Sequence, residues 1–170
     1  GTLAERLQRQ KEITKNMATQ LFDEAKATEA YYPQAQLKLL DQSMADLLAT
    51  EQFDLANLKV AQGRLKTFNN IVSNTAFDLL DKNNNLVNGY IPLNQLHNFR
   101  QLLNADIKKM KKMDTYEGKS EYQALLGMKS HIDEFIDTQF EADLISGNAE
   151  AISKWKKADS WYRDYKNNFN

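Results

Sequence analysis

The chain has 170 residues, 42% of them hydrophobic, with a formal net charge of −1 and no cysteine. Its length and apolar content suit one domain with a proper core, and the near-zero charge removes any global basic field that would draw the chain to nucleic acid or anionic lipid. The missing thiols exclude disulfides, cysteine nucleophiles and cysteine-ligated zinc.

Only two prolines and six glycines punctuate the chain, a composition that favours long helices. Thr2-Leu3-Ala4-Glu5 has the form of a capping box, and Leu3, Leu7, Ile13, Met17 and Leu21 follow at near-helical spacing. A first helix is therefore expected from about Thr2 to Glu29. Tyr31-Tyr32-Pro33 ends it, with Pro33 suited to the first turn of the next.

Leu37, Leu40, Met44 and Leu47 mark a shorter second helix. Leu55, Leu58, Leu65, Phe68, Val72, Phe77 and Leu80 predict a third and longest one, reaching an asparagine-rich loop that begins at Lys82. Pro92 stands where a first helical residue belongs, ahead of Leu93, Leu96, Leu103, Ile107 and Met110.

A turn is expected over Asp114 to Lys119. Beyond it Ser120 with Gln123 is placed to cap a fifth helix, burying Tyr122, Leu125, Leu126, Ile132, Phe135, Ile136 and Phe140. Gly147 and Asn148 then make a sharp turn into a last helix. No segment alternates long enough to predict a strand, and no repeat of fixed period is visible. The expected fold is all-α, an antiparallel bundle of about five or six helices forming one domain over residues 1–170. The opening Gly1-Thr2-Leu3, without methionine, leads us to expect a fragment of a longer protein.

In that last helix Ile152, Trp155, Tyr162, Tyr165 and Phe169 share one side while Lys154, Lys156, Lys157, Arg163 and Lys166 flank it. The spacing predicts aromatic burial with lysines at the wet rim; the rival reading is a base-stacking platform in a positive groove. Lys108, Lys109, Lys111 and Lys112, interrupted by Met110, read as the wet side of a helix end.

Chemical motifs are sparse. The only histidines are His97 and His131, and neither has the Glu-x-x-His or His-Glu-x-x-His context of a di-iron or zinc site. Asp133, Asp137 and Glu141 form an i, i+4, i+8 carboxylate ladder, read either as a solvated face or as part of a divalent-cation site. Asp81-Lys82-Asn83-Asn84-Asn85 imitates the start of an EF-hand loop, but Leu86 and Pro92 occupy its glycine and glutamate positions. No phosphate loop, nucleophile elbow or triad is legible. We therefore assign no catalytic, cofactor-binding or metal-ligating residue. Every apolar run is broken by charge or amide, so no membrane span or signal-peptide core is expected.

Ile91 to Asn104, Ile132-Asp133-Glu134-Phe135-Ile136-Asp137, Ser146 to Ile152 and Lys157 to Arg163 follow in order. Together they resemble a helical region of uncharacterised, large virion-associated proteins of tailed phages and prophages. The likeness covers about residues 88–166, with Asn148 where aspartate is more usual. It implies a non-catalytic structural or protein-interaction module, located in the virion or the bacterial host cytoplasm. Its partner would be another protein or the rest of the parent polypeptide. The alternative is a helical-bundle sensor or small-ligand-binding domain, and the composition disfavours nucleic acid as partner.

Overall fold

A computed structural model of the chain describes residues 1–26, 29–80 and 83–169. Along the chain come α1 (Leu3–Lys26), β1 (Ala30–Pro33), α2 (Gln34–Leu48), α3 (Lys59–Asn74), β2 (Phe77–Leu80), β3 (Leu86–Pro92), α4 (Leu93–Lys111), α5 (Tyr116–Glu141), β4 (Ser146–Gly147) and α6 (Ala149–Phe169). The protein is a mostly helical bundle, with a small antiparallel sheet that the sequence pattern does not announce. It forms two compact units, Gly1–Ala30 with Ile145–Asn170, and Tyr31–Leu144.

The first unit pairs α1 with α6. The capping box forms as expected: Glu5 N donates to Thr2 Oγ1 at 3.1 Å and Thr2 N to Glu5 Oε2 at 3.2 Å. Asn148 N donates to Glu29 O at 3.2 Å, setting the start of α6 beside the end of α1, so the two helices run antiparallel. Thr14 and Ala18 of α1 are buried, as are Ala151, Trp155 and Ala158 of α6. With half-buried Tyr162 and Tyr165, the α6 residues step by four and three, the spacing of a coiled-coil seam. Gly147 has φ +130°, and a Cβ there would sit 2.5 Å from Glu29 O, so glycine is needed for this close approach. Asn148 caps α6 through Oδ1, which accepts from Glu150 N at 2.8 Å and Ala151 N at 3.3 Å.

The second unit is organised on β3, which pairs antiparallel with β2 on one side and β1 on the other. The expected third helix is corrected here: it ends at Asn74, and Phe77–Leu80 is a strand of a hairpin rather than a helical continuation. Three apolar residues around Asp78 fit either period, and pairing with β3 decides between them. The longest helix is α5, with 26 residues. Pro33 and Pro92 also differ from expectation. Each is extended (ψ 132° and 141°), ends a strand and stands as the N-cap of the following helix. The start of α5 moves too: Thr115, not Ser120, is its cap, accepting from Gly118 N at 3.0 Å.

The register of β1 with β3 exposes a repeat. Tyr31-Tyr32-Pro33-Gln34-Ala35-Gln36-Leu37 and Tyr90-Ile91-Pro92-Leu93-Asn94-Gln95-Leu96 share Tyr, Pro, Gln and Leu at identical spacing. The pairs are Tyr31 with Pro92, Tyr32 with Ile91 and Pro33 with Tyr90, so pairing exchanges equivalent residues about the Tyr32–Ile91 centre. A local two-fold therefore relates β1-α2-α3 to β3-α4-α5. Burial agrees, since Leu37, Leu40 and Met44 match Leu96, Phe99 and Leu103. On the second helices, Gly63, Phe68 and Val72 match Gly127, Ile132 and Ile136 in spacing.

The core lies under these strands, where Phe68 and Phe99 rings approach to 5.0 Å and Tyr32 meets Phe135 edge-on at 5.5 Å. One buried acid ties the helices. The N-cap residue of α3 is Leu58, which has no side chain to cap with. Glu121 of α5 supplies the missing acceptor: Oε1 takes Val60 N at 2.8 Å and Oε2 takes Ala61 N at 2.9 Å. A Glu121→Gln variant should lose about 1–3 kcal/mol of unfolding free energy in urea titration, because its amide presents a donor where an acceptor is required.

Candidate interaction surface

Polar side chains inside the second unit are engaged in joining helices. Asp41 on α2 accepts from Asn69 on α3 at 2.9 Å, and Asp133 on α5 accepts from Arg100 on α4 at 3.2 Å. The two contacts occupy equivalent places in the repeat, one a carboxylate–amide hydrogen bond at the surface, the other an ion pair. Arg100 is only 3% exposed. Arg64 on α3 also pairs with Asp106 on α4, whose hydrogen bond to the guanidinium raises the arginine pKa above its ordinary value.

The carboxylate ladder is thereby reassigned. Asp133 turns inward to Arg100, Asp137 is half-buried, and Glu141 is exposed, so neither a uniformly solvated face nor a shared cation site is formed. Among the described residues no group of three or more His, Asp or Glu side chains is placed to hold a metal ion. In the other candidate, Asp81 and Lys82 lie outside the described residues. Asn83, Asn84 and Asn85 are exposed, and Asn84 has φ 61°, the left-handed geometry asparagine tolerates at a hairpin turn.

His131 lies 3.1 Å through Nδ1 from Ser43 Oγ, which itself donates to Leu40 O at 2.9 Å. The contact joins α2 to α5, with the donor and acceptor roles of the hydroxyl and the ring nitrogen set by the imidazole tautomer. His97 is buried on α4.

On α6 Trp155 is buried, while Lys154, Lys156 and Lys157 are exposed. Trp161, Tyr162 and Tyr165 are half-buried; the side chain of Phe169 lies outside the described set. Lys108, Lys109, Lys111 and Lys112 form the exposed side of the end of α4, around buried Met110.

The first helix departs furthest from expectation. Of the apolar residues whose spacing marks this helix, Leu3, Leu7, Ile13 and Met17 are 66%, 54%, 49% and 38% exposed, and Leu21 is half-buried. Thr14 and Ala18 are buried in their place. The row Leu3, Arg6, Gln10, Ile13 and Met17, stepping by three and four, is exposed throughout. Arginine and glutamine interrupting that row were the available sign that it was not core. Among the described residues no helix is long and apolar enough to cross a membrane.

Comparisons with protein-family models, with curated proteins and with solved structures return no match to this chain.

Two tests follow from these contacts. Asp133→Ala should cost about 3–5 kcal/mol by leaving a buried guanidinium without its carboxylate, whereas Asn69→Ala at the equivalent exposed contact should cost about 1 kcal/mol or less in the same denaturation assay. Trp155→Ala should cost about 3–5 kcal/mol, with Lys156→Ala and Lys157→Ala each within about 0.5 kcal/mol of the parent chain.

Proposed function

We propose that this chain is a non-catalytic structural and protein-interaction module of a phage-type virion-associated polypeptide. The observation that carries the interaction reading is the outward apolar row of α1, on a helix whose other face is already packed against α6. Single exposed apolar side chains are ordinary, but Leu3, Ile13 and Met17 along one side of one helix form a surface suited to docking.

Two further features support this reading. Several polar groups inside the second unit join helices: Glu121 binds an N-terminus, Asp133 accepts from Arg100, and Ser43 donates to Leu40 O and lies beside His131. The virion assignment is supported by the ordered sequence resemblance over residues 88–166. Within it, Ile132 and Ile136 supply core, and Asp133 supplies the partner of Arg100.

The reading is tested in the parent polypeptide. Quantitative mass spectrometry of purified particles should find that polypeptide at a fixed copy number. An Ile13→Asp, Met17→Asp version should keep the melting temperature of the isolated chain and enter particles at least about tenfold less, the loss expected when charge is placed in an apolar contact. Absence of the polypeptide from particles, or equal entry of the double variant, would overturn it.

A further inference from the structure

The outward face of α1 also carries a charge pattern. Its exposed row is Leu3, Arg6, Gln10, Ile13 and Met17, and Arg9, three residues after Arg6 and four before Ile13, stands on its border. The acids of this part of the helix, Glu5 and Glu12, stand four before and three after Arg9, on its side away from the row. Glu5 is turned back to Thr2 N, and Glu12 accepts from Gln8 Nε2 at 3.2 Å. The charged side chains in the row and directly on its border are thus Arg6 and Arg9, with the acids one step further round the helix.

Resting on the docking role argued above, we infer that this face receives an amphipathic helix with acidic flanks, contributed by a partner chain. Steps of three and four match the repeat by which one helix reads another, and apolar anchors from the partner would settle beside Leu3, Ile13 and Met17. Arg6 and Arg9 then select carboxylates on the partner's flanks, where each pair sets orientation and discriminates against basic helices more than it adds affinity. Gln10, uncharged and central, accepts either an amide or an apolar neighbour without burying a lone charge. A lipid surface fits less well. The row contains no aromatic residue, and its cations number two beside an apolar strip already broken by glutamine.

The experiment uses the full chain and two synthetic three-heptad peptides with leucine at the apolar positions, one flanked by glutamate and the other by lysine. Fluorescence anisotropy at low salt should show the glutamate peptide binding at least about tenfold tighter, with the difference shrinking as salt is raised. Arg6→Glu with Arg9→Glu should reverse the preference, and Ile13→Asp with Met17→Asp should abolish binding of both. Thermal melting of each variant reports that the fold is kept.

Equal binding of the two peptides, or binding of neither, would overturn the acidic-helix inference. So would sedimentation of the chain with phosphatidylcholine vesicles containing phosphatidylserine while the glutamate peptide fails to bind. Failure with the peptides alongside stoichiometric presence in particles would remove the partner chemistry and leave the docking role standing. Absence from particles with selective peptide binding would do the reverse.

Discussion

The antiparallel pairing of β1 with β3 is the constraint on which the second unit depends. Tyr32 and Ile91 face each other at its centre, both buried, and each strand ends in a proline that caps a helix. Proline has no N–H to donate and fixes its own φ near the value required. Pro33 and Pro92 therefore end the ladder and launch α2 and α4 at equivalent points. Two strands held in one register thus fix the starting positions of two helices. The remaining helices pack where those two leave apolar surface, with Phe68 meeting Phe99 at the centre.

Once the local two-fold is recognised, the differences between its halves become informative. Asp41 and Asn69 make an exposed contact in the first half; Arg100 and Asp133 make an ion pair in the second, with the arginine buried. A buried guanidinium costs several kcal/mol to desolvate and is retained only with a well-placed acceptor, so the second half binds α4 to α5 by a contact intolerant of loss. Glu121 has no counterpart in the first half, because α5 begins further ahead of its shared glycine than α3 does. The extra turns carry this acid to the uncapped start of α3. The halves are therefore unequal in a definite sense: the second holds the first in place.

Helices with a long stripe were legible from sequence because their information is local: α2 and α4 bury nearly the residues their spacing marks, and the capping box at Thr2 and the cap at Asn148 form as written. The hairpin of β2 and β3 was not legible, since three apolar residues and Asp78 carry no decisive period and the deciding partner lies across a turn. The repeat was hidden for a related reason. Core positions accept any apolar residue of suitable size, so Phe68 and Ile132 are equivalent without looking alike, and identity is confined to a few positions such as Tyr31 and Tyr90, Pro33 and Pro92, and Leu37 and Leu96. Of the candidate sites, the carboxylate ladder could be seen but not its outcome, because Arg100 lies on another helix.

The stripe of α1 was misread because periodicity states which residues share a face without stating what lies opposite. Two rows run along this helix: one containing Thr14 and Ala18, small enough for close approach to α6, and one containing Leu3, Ile13 and Met17, larger and turned outward. Small residues at a helix contact let the backbones draw near, leaving bulky ones to project elsewhere. A row made wholly of leucine would be strongly aggregation-prone, whereas Arg6 and Gln10 keep this one hydrated. The same interruptions limit the apolar area available, which suits reversible or cooperative contacts made alongside others more than a permanent one made alone.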